Sequence, residues 1–160
     1  MDKVRVILCG IGAVGRRIAK FLLEKKGVEI VGAIDTAEEK VGRDLGEVLG
    51  IEKKLGIVVL DDADAVLSKA KADVMIHSTT SFLKQVYSQV AKALEYGVNV
   101  VSTCEELSYP YVVDADLAGK LDELAKRYGV TVLGTGVNPG FVMDTLPITL
   151  TGACQTVKAI

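Results

Sequence analysis

The seven residues Cys9-Gly10-Ile11-Gly12-Ala13-Val14-Gly15 set three glycines at G-x-G-x-x-G spacing, between an apolar run and an amphipathic one. That spacing has a mechanical meaning where a strand gives way to a helix. Gly10 permits a tight turn, Gly12 lets the main chain approach a pyrophosphate with no Cβ in the way, and Gly15 lets helix and strand pack closely. The free N–H groups at the helix start then face the phosphates. Glycines alone would also fit a purely structural turn. The second signal is Asp35, twenty residues beyond Gly15 at the end of the next apolar run, where an acid accepts hydrogen bonds from ribose hydroxyls. The two together point to a dinucleotide held by Gly10, Ile11, Gly12, Ala13, Val14, Gly15, Asp35 and Thr36. NAD is favoured, because a carboxylate repels a 2′-phosphate and Thr36 stands where an arginine could bind one. NADP stays open through Arg16, Lys40 and Arg43, which are near enough in sequence to fold back onto a phosphate.

Three further segments carry polar groups. His77-Ser78-Thr79-Thr80-Ser81-Phe82 follows an apolar run, and Ser78, Thr79, Thr80 and Phe82 are expected to touch the cofactor, with Ser81 capping the next helix. His77, the only histidine, lies in strand register and is read as structural rather than catalytic. Ser102-Thr103-Cys104-Glu105-Glu106 offers acids to a cationic substrate, Glu105 being the catalytic candidate, although both acids also fit a solvated first turn. Cys104 has no histidine near it in sequence and reads as an idle thiol. Gly134 to Asp144 forms a long glycine-rich turn that sets Asn138, the second catalytic candidate, beside the far end of a dinucleotide.

These segments are positioned by alternating strands and helices. Strands are expected at Val4 to Cys9, Glu29 to Asp35, Ile57 to Leu60, Val74 to His77, Asn99 to Val101 and Thr131 to Leu133. Helices are expected at Val14 to Lys26, Asp61 to Lys71, Ser81 to Tyr96 and Ala115 to Tyr128, with one turn at Leu45 to Leu49. In the first helix Val14, Ile18, Phe21 and Leu22 form the apolar stripe and Gly27 the C-cap. The pattern specifies an α/β fold: a Rossmann-type, doubly wound parallel sheet of about six strands with helices on both faces. After Pro147 the alternation to Ile160 reads as the start of another strand.

Composition narrows the partners. The 160 residues are 49% apolar, enough for one sizeable core, and the net charge of -2 recruits neither nucleic acid nor anionic lipid. Three widely spaced cysteines and no C-x-x-C give no metal site and fit a reducing, cytoplasmic compartment. No apolar run is long enough to span a membrane.

The glycine loop, Val28 to Asp35, Asp44-Leu45-Gly46-Glu47 and above all Gly136-Val137-Asn138-Pro139-Gly140-Phe141-Val142-Met143-Asp144 resemble the 2,4-diaminopentanoate dehydrogenases. More distantly they resemble the N-terminal domain of dihydrodipicolinate reductases. The resemblance covers essentially the whole chain. It implies oxidative deamination of a short diamino acid with NAD(P) as hydride acceptor, in a homo-oligomeric enzyme. On this reading residues 1–150 are the NAD(P)-binding domain, and 151–160 begin a C-terminal substrate and dimerisation domain that this chain lacks. An imine reductase of the dihydrodipicolinate reductase type, or a non-catalytic dinucleotide-sensing module, are the alternatives.

Overall fold

The computed structural model describes residues 3–159. Six strands form one sheet: β1 (Val4–Cys9), β2 (Val28–Ile34), β3 (Val59–Leu60), β4 (Val74–His77), β5 (Asn99–Ser102) and β6 (Val132–Gly134). Their order is β3-β2-β1-β4-β5-β6 and every named pairing is parallel, so the strand order reverses between β1 and β4. This is the doubly wound arrangement in which ligands bind outside the carboxyl ends of the strands at the reversal.

The alternation along β1 explains the layers. Ile7 and Cys9 face a core closed by α3 (Ala63–Ala70), α4 (Leu83–Glu95) and α5 (Ala115–Tyr128). Val6 and Leu8 face a second core closed by α1 (Ala13–Glu24) and the short α2 (Leu45–Leu49). A strand buried on both faces carries a continuous apolar run, which is what Val4 to Cys9 supplies.

Several boundaries differ from expectation. α1 ends at Glu24 with an extended Lys25 as cap, and Gly27, at φ +84°, serves the turn into β2 rather than the cap. The buried face of α1 is Gly15 and Ala19, whereas Val14 and Phe21 are 53% and 56% exposed. The helix lies too close to the sheet for larger side chains, and Phe21 instead sits under the Lys25 ammonium, 4.1 Å from its ring centre. β3 begins at Val59, because Val58 bridges antiparallel to Asp44 instead. Ser81 does not cap α4; the Glu106 carboxylate accepts from the Leu83 N–H at 2.6 Å, so the cap comes from the turn after β5.

No strand forms after Pro147. A π-helical turn Phe141–Thr145 runs into α6 (Leu146–Thr151), and residues 152–159 carry neither helix nor strand; Ile160 lies outside the described residues. Pro147 sits in the first turn of α6, where a fixed φ and a missing N–H suit a helix start. The alternating pattern lost to that local preference.

Two glycines with opposite surroundings test this packing. A Cβ on Gly134 would run into the Leu107 backbone, whereas one on Gly119, inside α5, meets nothing within 4 Å. Gly134→Ala should cost on the order of 1–3 kcal/mol through overpacking. Gly119→Ala should add about 0.5–1 kcal/mol of stability. Urea unfolding curves of the two variants check both signs.

Candidate dinucleotide site

A cleft of about 370 Å³ opens at the carboxyl ends of β1, β2 and β4. Gly10, at φ +87°, turns the chain out of β1, and a Cβ there would stand 2.5 Å from the Ser78 carbonyl oxygen. Ser78 Oγ donates back to the Gly10 carbonyl at 2.9 Å, so the turns after β1 and β4 hold each other. A Cβ on Gly15 would collide with the same carbonyl of Gly10, which is the close helix-strand approach that its spacing requires. Gly12 differs from both: it lines the cleft, and nothing of the protein comes within 4 Å of its missing Cβ. It is the N-cap of α1, and no side chain caps that helix start. The leading N–H groups of a helix have no partner within it. The loop thus offers open space and uncommitted donors together, which fits a phosphate-bearing ligand.

Asp35 directly follows β2, which stops at Ile34 rather than at the expected Asp35, and is 9% exposed. Its Oδ2 accepts from the Ile11 N–H at 2.7 Å and from Lys40 Nζ at 3.0 Å, and its Oδ1 accepts from the Ala37 N–H at 2.9 Å. Burial raises its pKa, but the N–H groups of Ala37 and Ile11 and the Lys40 ammonium outweigh that and hold the carboxyl below the usual aspartate value. The acid is therefore ionised, lines the cleft, and ties the glycine loop to β2. It is not bare: Lys40, a possible 2′-phosphate ligand by sequence, is committed to it. Arg43 is engaged with the Glu39 carbonyl at 3.3 Å and with Glu47 at 3.6 Å. Arg16 is exposed on α1.

Gly10, Gly12, Asp35, Thr36, Ser78 and Thr79 come together around the cleft. The other sequence candidates do not line it. Ile11 is buried beneath the loop, Ala13 and Val14 face solvent at the start of α1, and Gly15 packs against β1. Thr80 donates to Gln85 at 2.9 Å, and Phe82 is 55% exposed. The cleft also takes residues that sequence reading missed: Asp61, Ala63, Leu67, Met75 and Gln89. Gln89 left a signal, as a polar residue between the buried Val86 and Val90 of α4. Leu67 and Met75 read only as core.

At the β5 edge Cys104 is buried, and burial pushes its thiol pKa up, so it is no nucleophile. Cys9 is pushed up to about 12 by burial and by the charge of Asp35. Of the two acids, Glu106 is spent on the Leu83 N–H, and Glu105 remains exposed. Asn138 is exposed in a turn closed by Phe141 N–H to Gly136 at 3.1 Å, Val142 N–H to Val137 at 2.7 Å, and Gly140 N–H to Asp144 Oδ2 at 2.8 Å. Neither Glu105 nor Asn138 lines the cleft. Among the described residues no three His, Cys, Asp or Glu side chains gather as a metal site, and no helix is long and apolar enough to cross a membrane.

A parallel sheet with this loop and acid at its strand reversal defines a Rossmann-type nucleotide-binding domain. Residues 4–107 match the family model described as dihydrodipicolinate reductase, N-terminus, and the chain belongs to that family. It is 40% identical to 2,4-diaminopentanoate dehydrogenase of Acetoanaerobium sticklandii, an alignment covering 100% of this chain and 45% of that protein. The amine dehydrogenase structure from Mycobacterium smegmatis superposes with a TM-score of 0.91 at 37% identity, over 98% of this chain and 46% of that one. A 4-hydroxy-tetrahydrodipicolinate reductase of Moorella thermoacetica is 27% identical over 89% of this chain and 49% of its own. The chain thus spans about half the length of the relatives it matches.

Because a side chain at position 12 meets no protein atom, Gly12→Val should fold normally while filling the space a pyrophosphate needs. The expected loss of dinucleotide affinity is at least a hundredfold, roughly 2.8 kcal/mol, read by fluorescence titration. Its thermal midpoint should match that of the parent, whereas Gly15→Val, driven into the Gly10 carbonyl, should not fold.

Proposed function

We propose that this chain is the dinucleotide-binding half of an NAD(P)-dependent dehydrogenase that oxidatively deaminates a short diamino acid of the 2,4-diaminopentanoate kind in the cytoplasm. The observation that carries the reading is the open backbone cradle at Gly12 beside an ionised Asp35, at the reversal of strand order. The 40% identity to a 2,4-diaminopentanoate dehydrogenase supports the substrate class over the imine reduction named by the more distant relatives.

In that reaction the amine-bearing carbon gives up a hydride and its nitrogen a proton, and water converts the resulting imine to ketone and ammonia. The bound nicotinamide supplies the hydride acceptor. The Gly10–Gly15 loop would hold the pyrophosphate, Asp35 and Thr36 the adenosine ribose, and Ser78 and Thr79 the cleft wall between them. Glu105, exposed after β5, is the acid free to pair with the substrate ammonium and take its proton; Asn138, after β6, offers an amide from the neighbouring edge.

NAD is the better ligand on this reading. The Lys40–Asp35 pair softens the repulsion of a 2′-phosphate, but it also commits the cation nearest the ribose position, which leaves Arg16. NADH should therefore bind at least as tightly as NADPH in parallel titrations. NADPH binding tenfold tighter, about 1.4 kcal/mol, would overturn the preference.

The relatives this chain matches are about twice as long, and on this reading the substrate wall belongs to a second domain in the remaining half. Val137, Met143, Ile148 and Leu150 are each more than 60% exposed, and so many large apolar side chains exposed within one short segment support a contact face there. On the same proposal residues 151–160 belong to that domain, and the whole protein is a homo-oligomer. Effective catalysis needs the reacting carbon held about 3–3.5 Å from its acceptor, with water excluded. The 160-residue chain should accordingly bind NADH yet form none from 2,4-diaminopentanoate. In a chain extended to the relatives' length, Glu105→Gln should lower kcat by about 10²–10⁴-fold. Full turnover by the short chain would sink the two-domain reading.

A further inference from the structure

His77 is the single histidine of the chain; it is fully buried, and the chemistry above gives it no task. It ends β4 at the carboxyl edge of the sheet. Its Nδ1 lies 2.9 Å from Ser102 Oγ, and its Nε2 lies 2.8 Å from Gln89 Oε1 and 2.9 Å from Thr79 Oγ1. These partners fix which nitrogen carries the proton. An amide oxygen only accepts, so Nε2 donates to Gln89. Burial disfavours the charged ring, so with the hydrogen on Nε2 the Nδ1 is bare and accepts from Ser102 Oγ, which in turn accepts from the Cys104 N–H at 3.1 Å. Thr79 Oγ1 donates to the same Gln89 oxygen at 3.0 Å. The ring is thereby neutral with its hydrogen on Nε2, and burial holds its pKa below the ordinary histidine value against the opposing pull of Gln89.

The bonds run in one direction, from the turn after β5 through the ring to the cleft wall. Ser102 and Cys104 open the turn that carries Glu105; Thr79 and Gln89 line the cleft. The main chain repeats the link. Thr103 N–H donates to the His77 carbonyl at 3.0 Å, and Glu106 N–H to the Ser81 carbonyl at 3.3 Å. An apolar side chain could fill this space without the desolvation cost of an imidazole. A fully satisfied polar network in a core fixes one arrangement of the groups it joins.

We propose that His77 is a positioning residue of the cleft: through Gln89 and Thr79 it holds the turn after β4 in the shape that receives the dinucleotide, and through Ser102 it locks that turn to the one carrying Glu105. The role rests on the dinucleotide reading of the cleft. Ser102 does not line the cleft, so removing its hydroxyl reaches the ligand indirectly, through the ring or through the turn that Cys104 opens, and the Gln89 background separates the two.

The untagged 160-residue chain, Ser102→Ala, Gln89→Met and the double variant are titrated with NADH, with thermal midpoints measured alongside; Ser102→Cys stands in if the alanine variant does not fold. Ser102→Ala should weaken NADH about tenfold in the folded protein, and little further in the Gln89→Met background, because two residues that do not touch are coupled through their shared partner. With one histidine present, its nitrogen-15 spectrum reports a single ring, which should show hydrogen on Nε2 at neutral pH. An Nδ1–H tautomer, or a Ser102 variant that binds NADH within twofold of the parent, overturns the proposal even if its midpoint falls. A parent chain that binds no dinucleotide overturns the reading of the cleft itself, and this proposal with it.

Discussion

The space where Gly15 would carry a Cβ is taken by the carbonyl of Gly10, and much of the molecule is arranged around that contact. It lets α1 lie against β1 at a distance no other residue allows. The next inward position one turn on is Ala19, again small, and the larger Val14 and Phe21 are turned outward. With the helix that close, its uncapped start stands at the carboxyl edge of the sheet rather than above its face. Gly10 must then turn sharply, at φ +87°, and its carbonyl becomes the acceptor for Ser78 Oγ across the strand reversal. A cleft wall from β4 is thus hung on a contact between β1 and α1.

A second clasp is set by charge. Asp35 reaches from the end of β2 to the Ile11 N–H inside the glycine loop, so an acid that lines the cleft also holds the loop in place. The N–H groups of Ala37 and Ile11, with the Lys40 ammonium at 3.0 Å, keep the carboxylate ionised despite its burial. One side chain therefore both shapes the loop and lines the cleft. Substitutions at Asp35 will disturb both, whereas a Cβ added at Gly12 meets no protein atom within 4 Å and changes only the space of the cleft.

The strands were legible in the sequence because a buried parallel strand is a plain apolar run between turn residues, and β1 and β4 appear with the expected boundaries. α5 was equally plain, with Asp114 capping it and Gly129 ending it in the left-handed conformation. The glycine loop and Asp35 were legible because their spacing encodes a backbone geometry. What sequence could not give was contact across elements. The stripe Val14, Ile18, Phe21, Leu22 has helical period, but which side is buried depends on how close the sheet comes. The cap of α4 arrives from Glu106, 23 positions away, and no local motif announces it. Leu67 and Met75 lie at the cleft because the sheet ends there, and core and cleft floor are made of the same residues.

The two faces of the sheet are not equally covered. α3, α4 and α5 close one face, and Val100 and Val132 pack into that core. On the opposite face α1 and α2 pack over the half of the sheet around β1 to β3, while Val101 and Leu133 join neither core, and Leu133 is 51% exposed. α6, the next helix after β6, packs chiefly on its own preceding turn. The exposed Leu133 of that face and the exposed Val137, Met143 and Ile148 that follow it in sequence are apolar surface whose burial would contribute about 25 cal/mol per Å². The turns carrying Glu105 and Asn138 extend from the ends of β5 and β6, the same half of the sheet. Whatever packed on that half would therefore also stand close to the turns that carry those two side chains.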